Sequence, residues 1–303
     1  MSSIKYNKVG KSDIFVSEMT LGCMSLDNEN IKSNQIIDYA LNQGINHLDT
    51  ADLYQFGLNE SMIGQAIKSR RNEIILSSKV GNQFDFNSKK VTWNPTRQHI
   101  INGIKASLSR LNTDYLDFYL LHGGTIEDNT EETIDAFEHL KKAGLIRAYG
   151  ISSIRPNVIN RFIKLSNIDV VMMQYSLLDR RPEYALLDEL NKHQISVFAR
   201  GSLAKGILTH NSKKRNNLEP YLTYNQTELK SIINQLVTEF DLSLQEIALR
   251  FTLKHPAVVS NVVGVSTLEQ LIENLNSIDA QLTDFDYQKI KKLTHLKNYT
   301  KHL

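Results

Sequence analysis

The chain holds a single cysteine, Cys23, so no disulfide can form within it and a fold of 303 residues must rest on its buried core. One thiol fits a reducing compartment, and the cytoplasm is the expected location. Long apolar runs are also missing. No stretch approaches the ~20 residues of a membrane span, and Met1-Ser-Ser-Ile-Lys-Tyr lacks the continuous apolar segment of a signal peptide. Neither sign of charge dominates: 35 basic residues against 33 acidic ones leave a net +2. The densest basic runs, Lys213-Lys214-Arg215 and Lys291-Lys292, are too short for a nucleic-acid footprint, so no nucleic-acid partner is expected. No His, Asp and Glu set has metal-ligand spacing, and no metal is expected. The turn Leu21-Gly22-Cys23-Met24-Ser25 lacks the G-x-G-x-x-G fingerprint of a doubly wound dinucleotide fold.

What the chain does have is alternation. Short, mostly apolar bursts at 18–21, 46–48, 74–79, 115–121, 146–151, 170–174, 196–199 and 261–263 are flanked by Gly, Asn, Asp or Ser, as buried parallel strands should be. Between them lie helical patterns such as 33–42, 58–68, 96–111, 131–142 and 268–278, several ending in a glycine stop at Gly44 or Gly144. Eight strands alternating with helices, with no linker, predict a single (β/α)8 TIM barrel domain over residues 1–303. Residues 6–16, centred on Gly10-Lys11-Ser12, read as an N-terminal β-hairpin. The interval 209–228 reads as an insertion loop on one face, and 287–297 as an extra C-terminal helix.

In such a barrel the C-terminal ends of the strands share one mouth. Asp49, Lys79 and His122 end the second, third and fourth bursts, and Tyr54 lies in the loop after Asp49. A phenol titrating near ~10 donates a proton poorly; a neighbouring ammonium and carboxylate stabilise its phenolate and lower that value. Each residue has an ordinary reading too. Asp49 suits an Asx-turn or cap, Tyr54 a surface aromatic, Lys79 a structural salt bridge and His122 a satisfied core imidazole. Four such residues at matching strand ends make the joint, catalytic reading the stronger one.

Other positions suit a dinucleotide. Ser152, Ser153 and Gln174 end strands five and six and are fitted to hold a carboxamide. The loop Gly201-Ser202-Leu203-Ala204-Lys205-Gly206 offers backbone N–H groups and a lysine to a pyrophosphate. Gly264-Val265-Ser266-Thr267 opens a helix where barrels commonly bind phosphate, although Ser266 or Thr267 equally suits an N-cap.

Together these segments resemble the aldo-keto reductases. Leu48-Asp49-Thr50-Ala51-Asp52-Leu53-Tyr54 followed by Asn59-Glu60 and Gly64 is similar to that family's most distinctive signature. Ser77-Ser78-Lys79-Val80, Asp117-Phe-Tyr-Leu-Leu-His122, Gly144 to Ser152, Gln174-Tyr175-Ser176, the loop 200–208 and Gly264 through Asn274 are similar to further motifs in family order, across residues 16–278. The resemblance implies NAD(P)(H)-dependent interconversion of carbonyls and alcohols. It implies a tetrad in which Tyr54 protonates the carbonyl oxygen, Lys79 paired with Asp49 lowers the Tyr54 pKa, and His122 orients and polarises the carbonyl. Cofactor contacts are implied for Gly22, Met24, Ser152, Ser153, Gln174, Arg200, Gly201, Ser202, Leu203, Lys205, Gly206, Gly264, Ser266, Thr267, Gln270 and Asn274. Four positions depart from the family pattern, one of them Ser266, which occupies a commonly basic position. Ser153 stands where many members have Asn, Arg200 where many have an aromatic residue stacked on nicotinamide, and Gln270 where arginine often binds the adenosine 2′-phosphate. On family grounds NADP(H) is the expected cofactor, with NAD(H) as the alternative.

Two rival functions remain at this level: a nicotinamide-nucleotide-sensing regulatory subunit with little turnover, and a lyase using Lys79 as a Schiff-base amine. The expected Asp49 partner, by keeping that amine protonated, argues against the lyase. The partner expected is a small carbonyl compound, selected by Phe56, Phe84, Phe86, Trp93 and the 209–228 loop. The sequence leaves its identity and the oligomeric state open.

Overall fold

A computed structural model describes residues 4–27, 30–85, 88–210 and 218–302. Eight parallel strands close into a barrel: β1 (Met19–Gly22), β2 (His47–Asp49), β3 (Ile75–Val80), β4 (Leu116–Leu121), β5 (Ile146–Ser152), β6 (Val170–Gln174), β7 (Ser196–Arg200) and β8 (Val258–Gly264). Each pairs with its neighbours in chain order, and β8 returns to β1 with Gly264 opposite Gly22. The expected (β/α)8 TIM barrel is therefore the observed one. The outer layer includes α1 (Asn30–Asn42), α2 (Leu58–Ala66), α3 (Arg97–Leu111), α4 (Thr130–Lys142), α5 (Pro156–Leu165), α6 (Arg181–Ala185), α7 (Leu187–Lys192), α8 (Gln226–Glu239), α9 (Leu244–Leu253) and α10 (Leu268–Asn276), with α11 (Asp284–Leu293) beyond the repeat.

Sequence chemistry explains the elements that aim the site. The run Leu116–Leu121 is buried throughout, because a strand between the barrel interior and the helical layer meets apolar surroundings on both faces. Thr96 caps α3 by accepting from His99 N, while Ser243 and Glu246 form a reciprocal capping box on α9. The hairpin Tyr6–Lys8 with Phe15–Ser17 closes the floor. Its Val9, Ile14 and Val16 pack with Phe118, Phe198 and Val259 inside the barrel.

Three features differ from the expected elements. The eighth strand begins at Val258 rather than at 261, and its register with β7 shifts between Val197 and Phe198. The C-terminal helix covers Asp284–Leu293 and ends at Thr294, after which the chain runs on without helix. An unexpected hairpin, Asn82–Phe84 with Val91–Trp93, follows β3.

Gly150 shows how closely the strands approach. A Cβ there would lie 1.9 Å from the Val170 carbonyl oxygen on the neighbouring strand. Both partners are backbone, so neither can swing aside. Gly150→Ala is expected to cost about 1–3 kcal/mol, the usual scale of overpacking, read as a lower urea midpoint. An unchanged midpoint would show that β5 and β6 part without penalty.

Candidate active site

Asp49 ends β2 and Lys79 lies near the end of β3, with Ser77 directly opposite Asp49 in the register. Lys79 is wholly buried and Asp49 nearly so. The Lys79 ammonium donates to Asp49 Oδ2 at 2.7 Å, to the Thr50 carbonyl at 2.6 Å and to the Tyr54 hydroxyl at 3.4 Å. Asp49 Oδ1 accepts from the Ser77 hydroxyl at 2.6 Å. Burial pushes the Lys79 pKa down, but the charges and hydrogen bonds of Asp49 and Tyr54 outweigh it, and the net direction is up. Lys79 therefore stays an ammonium. Asp52, close by in the same loop, does not compete: burial and then Glu60 push it up to about 8, so at neutral pH it is mostly an uncharged acid.

Tyr54 is held by an unusual turn. Gln55 (φ 51°), Phe56 (φ 53°) and Gly57 (φ 86°) follow it in left-handed backbone. That conformation costs a non-glycine residue roughly 1–2 kcal/mol, and such strain concentrates at functional sites. The turn sets the phenol above Lys79, whose ammonium is 5.0 Å from the ring centroid. His122 follows β4 with its backbone N–H bonded to the Val80 carbonyl at 2.7 Å. Its ring meets Tyr54 edge-on, centroids 5.9 Å apart.

Burial, then the charges of Lys79 and Arg200, lower the His122 pKa to about 3. The ring is neutral at working pH. Its Nδ1 is buried with no hydrogen-bond partner among the described residues, so the proton is better placed on Nε2. The unfolded chain protonates this imidazole below about 6.5, whereas the folded chain waits until about 3. Between those values the unfolded state holds more protons, so acid favours unfolding, and above about 6.5 the effect vanishes. His122→Asn should remove this share of acid sensitivity, up to about 1.4 kcal/mol per pH unit. Urea midpoints at pH 7 and pH 5 check it; equal acid sensitivity in the two proteins would refute it.

One cavity of about 1110 Å³ gathers the expected residues. Gly22, Met24, Asp49, Tyr54, His122, Ser152, Ser153, Gln174, Arg200, Gly201, Ser202, Leu203, Lys205, Gly206, Gly264, Ser266, Gln270 and Asn274 all line it. Lys79 lies beneath the surface. Thr267 takes its capping alternative, accepting from Gln270 N, and the Ser266 N–H bonds to the Gln270 side-chain oxygen at 2.8 Å. Asn274 accepts from Gln245 at 3.0 Å. Arg155, Arg200 and Lys205 form no ion pair among the described residues, so three cations without a carboxylate partner face a cavity in which Asp49 is already paired and Glu273 contacts His210. Such a surface fits an elongated ligand carrying a central anion, as a nicotinamide dinucleotide does.

The substrate-selecting residues are distributed otherwise. Phe56 and Phe84 meet ring to ring at 5.6 Å, and neither lines the cavity. Trp93 lies against Gly81 and Gly123, and its indole donates to the Asp128 carboxylate at 3.0 Å. It therefore packs behind the His122 segment. Phe86 and the Lys213-Lys214-Arg215 run lie outside the described residues. Thr209 and Tyr221, from the expected insertion loop, do reach the cavity, and Tyr221 accepts from Gln174 at 3.1 Å. Arg155, Gln245, Glu273 and His302 line it without having been singled out in the sequence. Among the described residues no helix is long and apolar enough to cross a membrane, and no cluster of three ligand-type side chains could hold a metal.

The aldo/keto reductase family model matches residues 18–295. An uncharacterized oxidoreductase, YqkF, of Bacillus subtilis is 47% identical over 99% of both chains. An NADH-specific methylglyoxal reductase of Escherichia coli is 27% identical, covering 94% of this chain and 97% of its own. The solved structure of aldo-keto reductase AKR11C1 from Bacillus halodurans, in a holo form, superimposes with a TM-score of 0.95 at 46% identity over 99% of both chains. With the strand-end cluster and the barrel mouth already in place, these similarities make the chain an oxidoreductase of the aldo/keto reductase family.

Proposed function

We propose that this protein reduces an aldehyde or ketone to an alcohol at the expense of NAD(P)H, as a single barrel domain with Tyr54 as the proton donor. One observation carries the reading: the buried contacts Asp49–Lys79–Tyr54 open onto the cavity beside a neutral His122. Bound nicotinamide supplies the hydride. The Tyr54 hydroxyl gives its proton to the carbonyl oxygen, and the phenolate left behind faces the Lys79 ammonium, which Asp49 and the Thr50 carbonyl hold in place. His122 Nε2–H donates to the same oxygen as charge develops there, and removing one such donor typically costs about 10²–10³ in rate. Ser152, Ser153 and Gln174 would orient the carboxamide, Arg200 would stack on the ring, and Lys205 would answer the pyrophosphate.

NADP(H) is the proposed cofactor on family grounds. NAD(H) is its rival, since Ser266 and Gln270 bring no charge to the ribose end. A cytoplasmic location belongs to the same reading, in keeping with a single cysteine that can form no disulfide within the chain. Following NADPH and NADH absorbance with a panel of aldehydes, ketones and dicarbonyls tests the proposal. Carbonyl-dependent oxidation is expected; tight nucleotide binding with no turnover on any carbonyl would select the nucleotide-sensing reading.

A further inference from the structure

The lower half of the barrel interior is not uniformly apolar. Four side chains on four adjacent strands, Ser260 on β8, Thr20 on β1, His47 on β2 and Ser77 on β3, are completely buried. Barrel interiors are normally filled by bulky apolar side chains, and a buried polar group is costly unless it is hydrogen-bonded. These four bond to one another. Ser260 Oγ is 2.7 Å from Thr20 Oγ1, Thr20 Oγ1 is 2.8 Å from His47 Nδ1, and His47 Nε2 is 3.0 Å from Ser77 Oγ. Ser77 then donates to Asp49 at 2.6 Å.

Proton counting gives the row a direction. A carboxylate can only accept, so the single Ser77 proton points at Asp49, and the Ser77 oxygen must accept from His47 Nε2–H. A neutral ring then has a bare Nδ1, which requires the Thr20 proton, while Ser260 has a single proton for its two contacts, Thr20 Oγ1 and the Ser17 carbonyl. From Thr20 through His47 to Ser77 each donor points toward Asp49, an arrangement in which successive bonds polarise and strengthen one another. We infer that His47, protonated on Nε2 alone, is a positioning residue that passes this one-way row to Ser77 and so fixes the Asp49 carboxylate against Lys79. Ser260 Oγ also lies 2.8 Å from the Ser17 carbonyl. A second ring proton on His47 would turn the Thr20 proton from the ring toward Ser260, with Ser260 donating to that carbonyl, and break the one-way order. Burial, then Lys79, holds the His47 pKa to about 3 and keeps that second proton off. Phe118 and Phe198 flank the ring at 5.8 and 4.9 Å and fix its plane.

The inference rests on the proposed reduction, because the row acts through Asp49 and Lys79. Two measurements test it. His47→Leu and Ser77→Ala are expected to lower kcat about 10-fold or more, the scale of losing an outer hydrogen-bond partner, with KM and the NADPH dissociation constant within about two-fold of wild type. His47→Gln, whose amide can both accept from Thr20 and donate to Ser77, should recover most of the loss. Wild-type kcat in folded His47→Leu, or a loss that His47→Gln does not relieve, overturns the inference. Independently, ¹⁵N-histidine spectra of the wild-type protein should contain a neutral imidazole protonated on Nε2 that persists from pH 8 to pH 5 and disappears in His47→Gln. An Nδ1-protonated His47 overturns the row whatever the variants do. Should the wild-type protein reduce no carbonyl, the proposed reaction falls, while this spectrum still decides the direction of the row.

Discussion

Tyr54→Phe is expected to lower kcat by about 10²-fold or more, the scale of losing a general acid, while NADPH still binds with nearly wild-type affinity. Phenylalanine keeps the ring that meets His122 edge-on at 5.9 Å and lies 5.0 Å from the Lys79 ammonium. The barrel and the cavity wall are therefore undisturbed, and only the transferable proton is lost. Because that proton moves in the transition state, the deficit should fall on kcat and kcat/KM together. Steady-state kinetics and a fluorescence titration of the cofactor separate the two quantities. A Tyr54→Phe protein with full kcat would remove Tyr54 from the reaction, and one that failed to bind NADPH would assign the tyrosine to binding instead.

The second large effect lies beneath the phenol. Asp49→Ala leaves a wholly buried ammonium facing only the Thr50 carbonyl and the Tyr54 hydroxyl. Stranding one member of a buried pair typically costs about 3–5 kcal/mol. With Asp49 gone, burial is left to push the Lys79 pKa down, so the variant exchanges an ammonium for an amine and loses activity as well as stability. Replacing both partners, Asp49→Leu with Lys79→Met, removes the stranded charge and should recover much of the stability without recovering turnover. Urea denaturation of the single and double variants reads the first effect, and carbonyl-dependent NADPH oxidation reads the second. If the double variant were as unstable as Asp49→Ala, the loss would lie in packing rather than in charge. If it were active, Lys79 would have no part in the chemistry.

How much of this was legible in the chain differs by residue. Asp49, Lys79 and His122 could be read because each ends an apolar run, and a barrel brings all strand ends to one rim whatever lies between them. The N-terminal hairpin was legible in the turn at Gly10-Lys11-Ser12, whereas its packing into the barrel floor comes from contacts far along the chain. By contrast, the left-handed turn that aims Tyr54 passes through Gln55 and Phe56, residue types that carry no signal for positive φ. His302 reaches the cavity from a segment without regular periodicity, so nothing local foretells its placement. Trp93, read as a substrate-selecting residue, is carried by the unexpected hairpin of Asn82–Phe84 and Val91–Trp93 to a place against Gly81 and Gly123. The polar row under Asp49 is the extreme case. Ser260 and Thr20 are 240 positions apart, and only barrel closure makes them neighbours.

A single-turnover experiment with NADPH carrying deuterium at the transferable C4 position tests the central claim most directly, with whichever carbonyl of the panel turns over fastest. The predicted product is an alcohol bearing one deuterium on the former carbonyl carbon, formed mole for mole with oxidised cofactor. Unlabelled alcohol, or label retained on a cofactor that binds but is never consumed, would contradict the account.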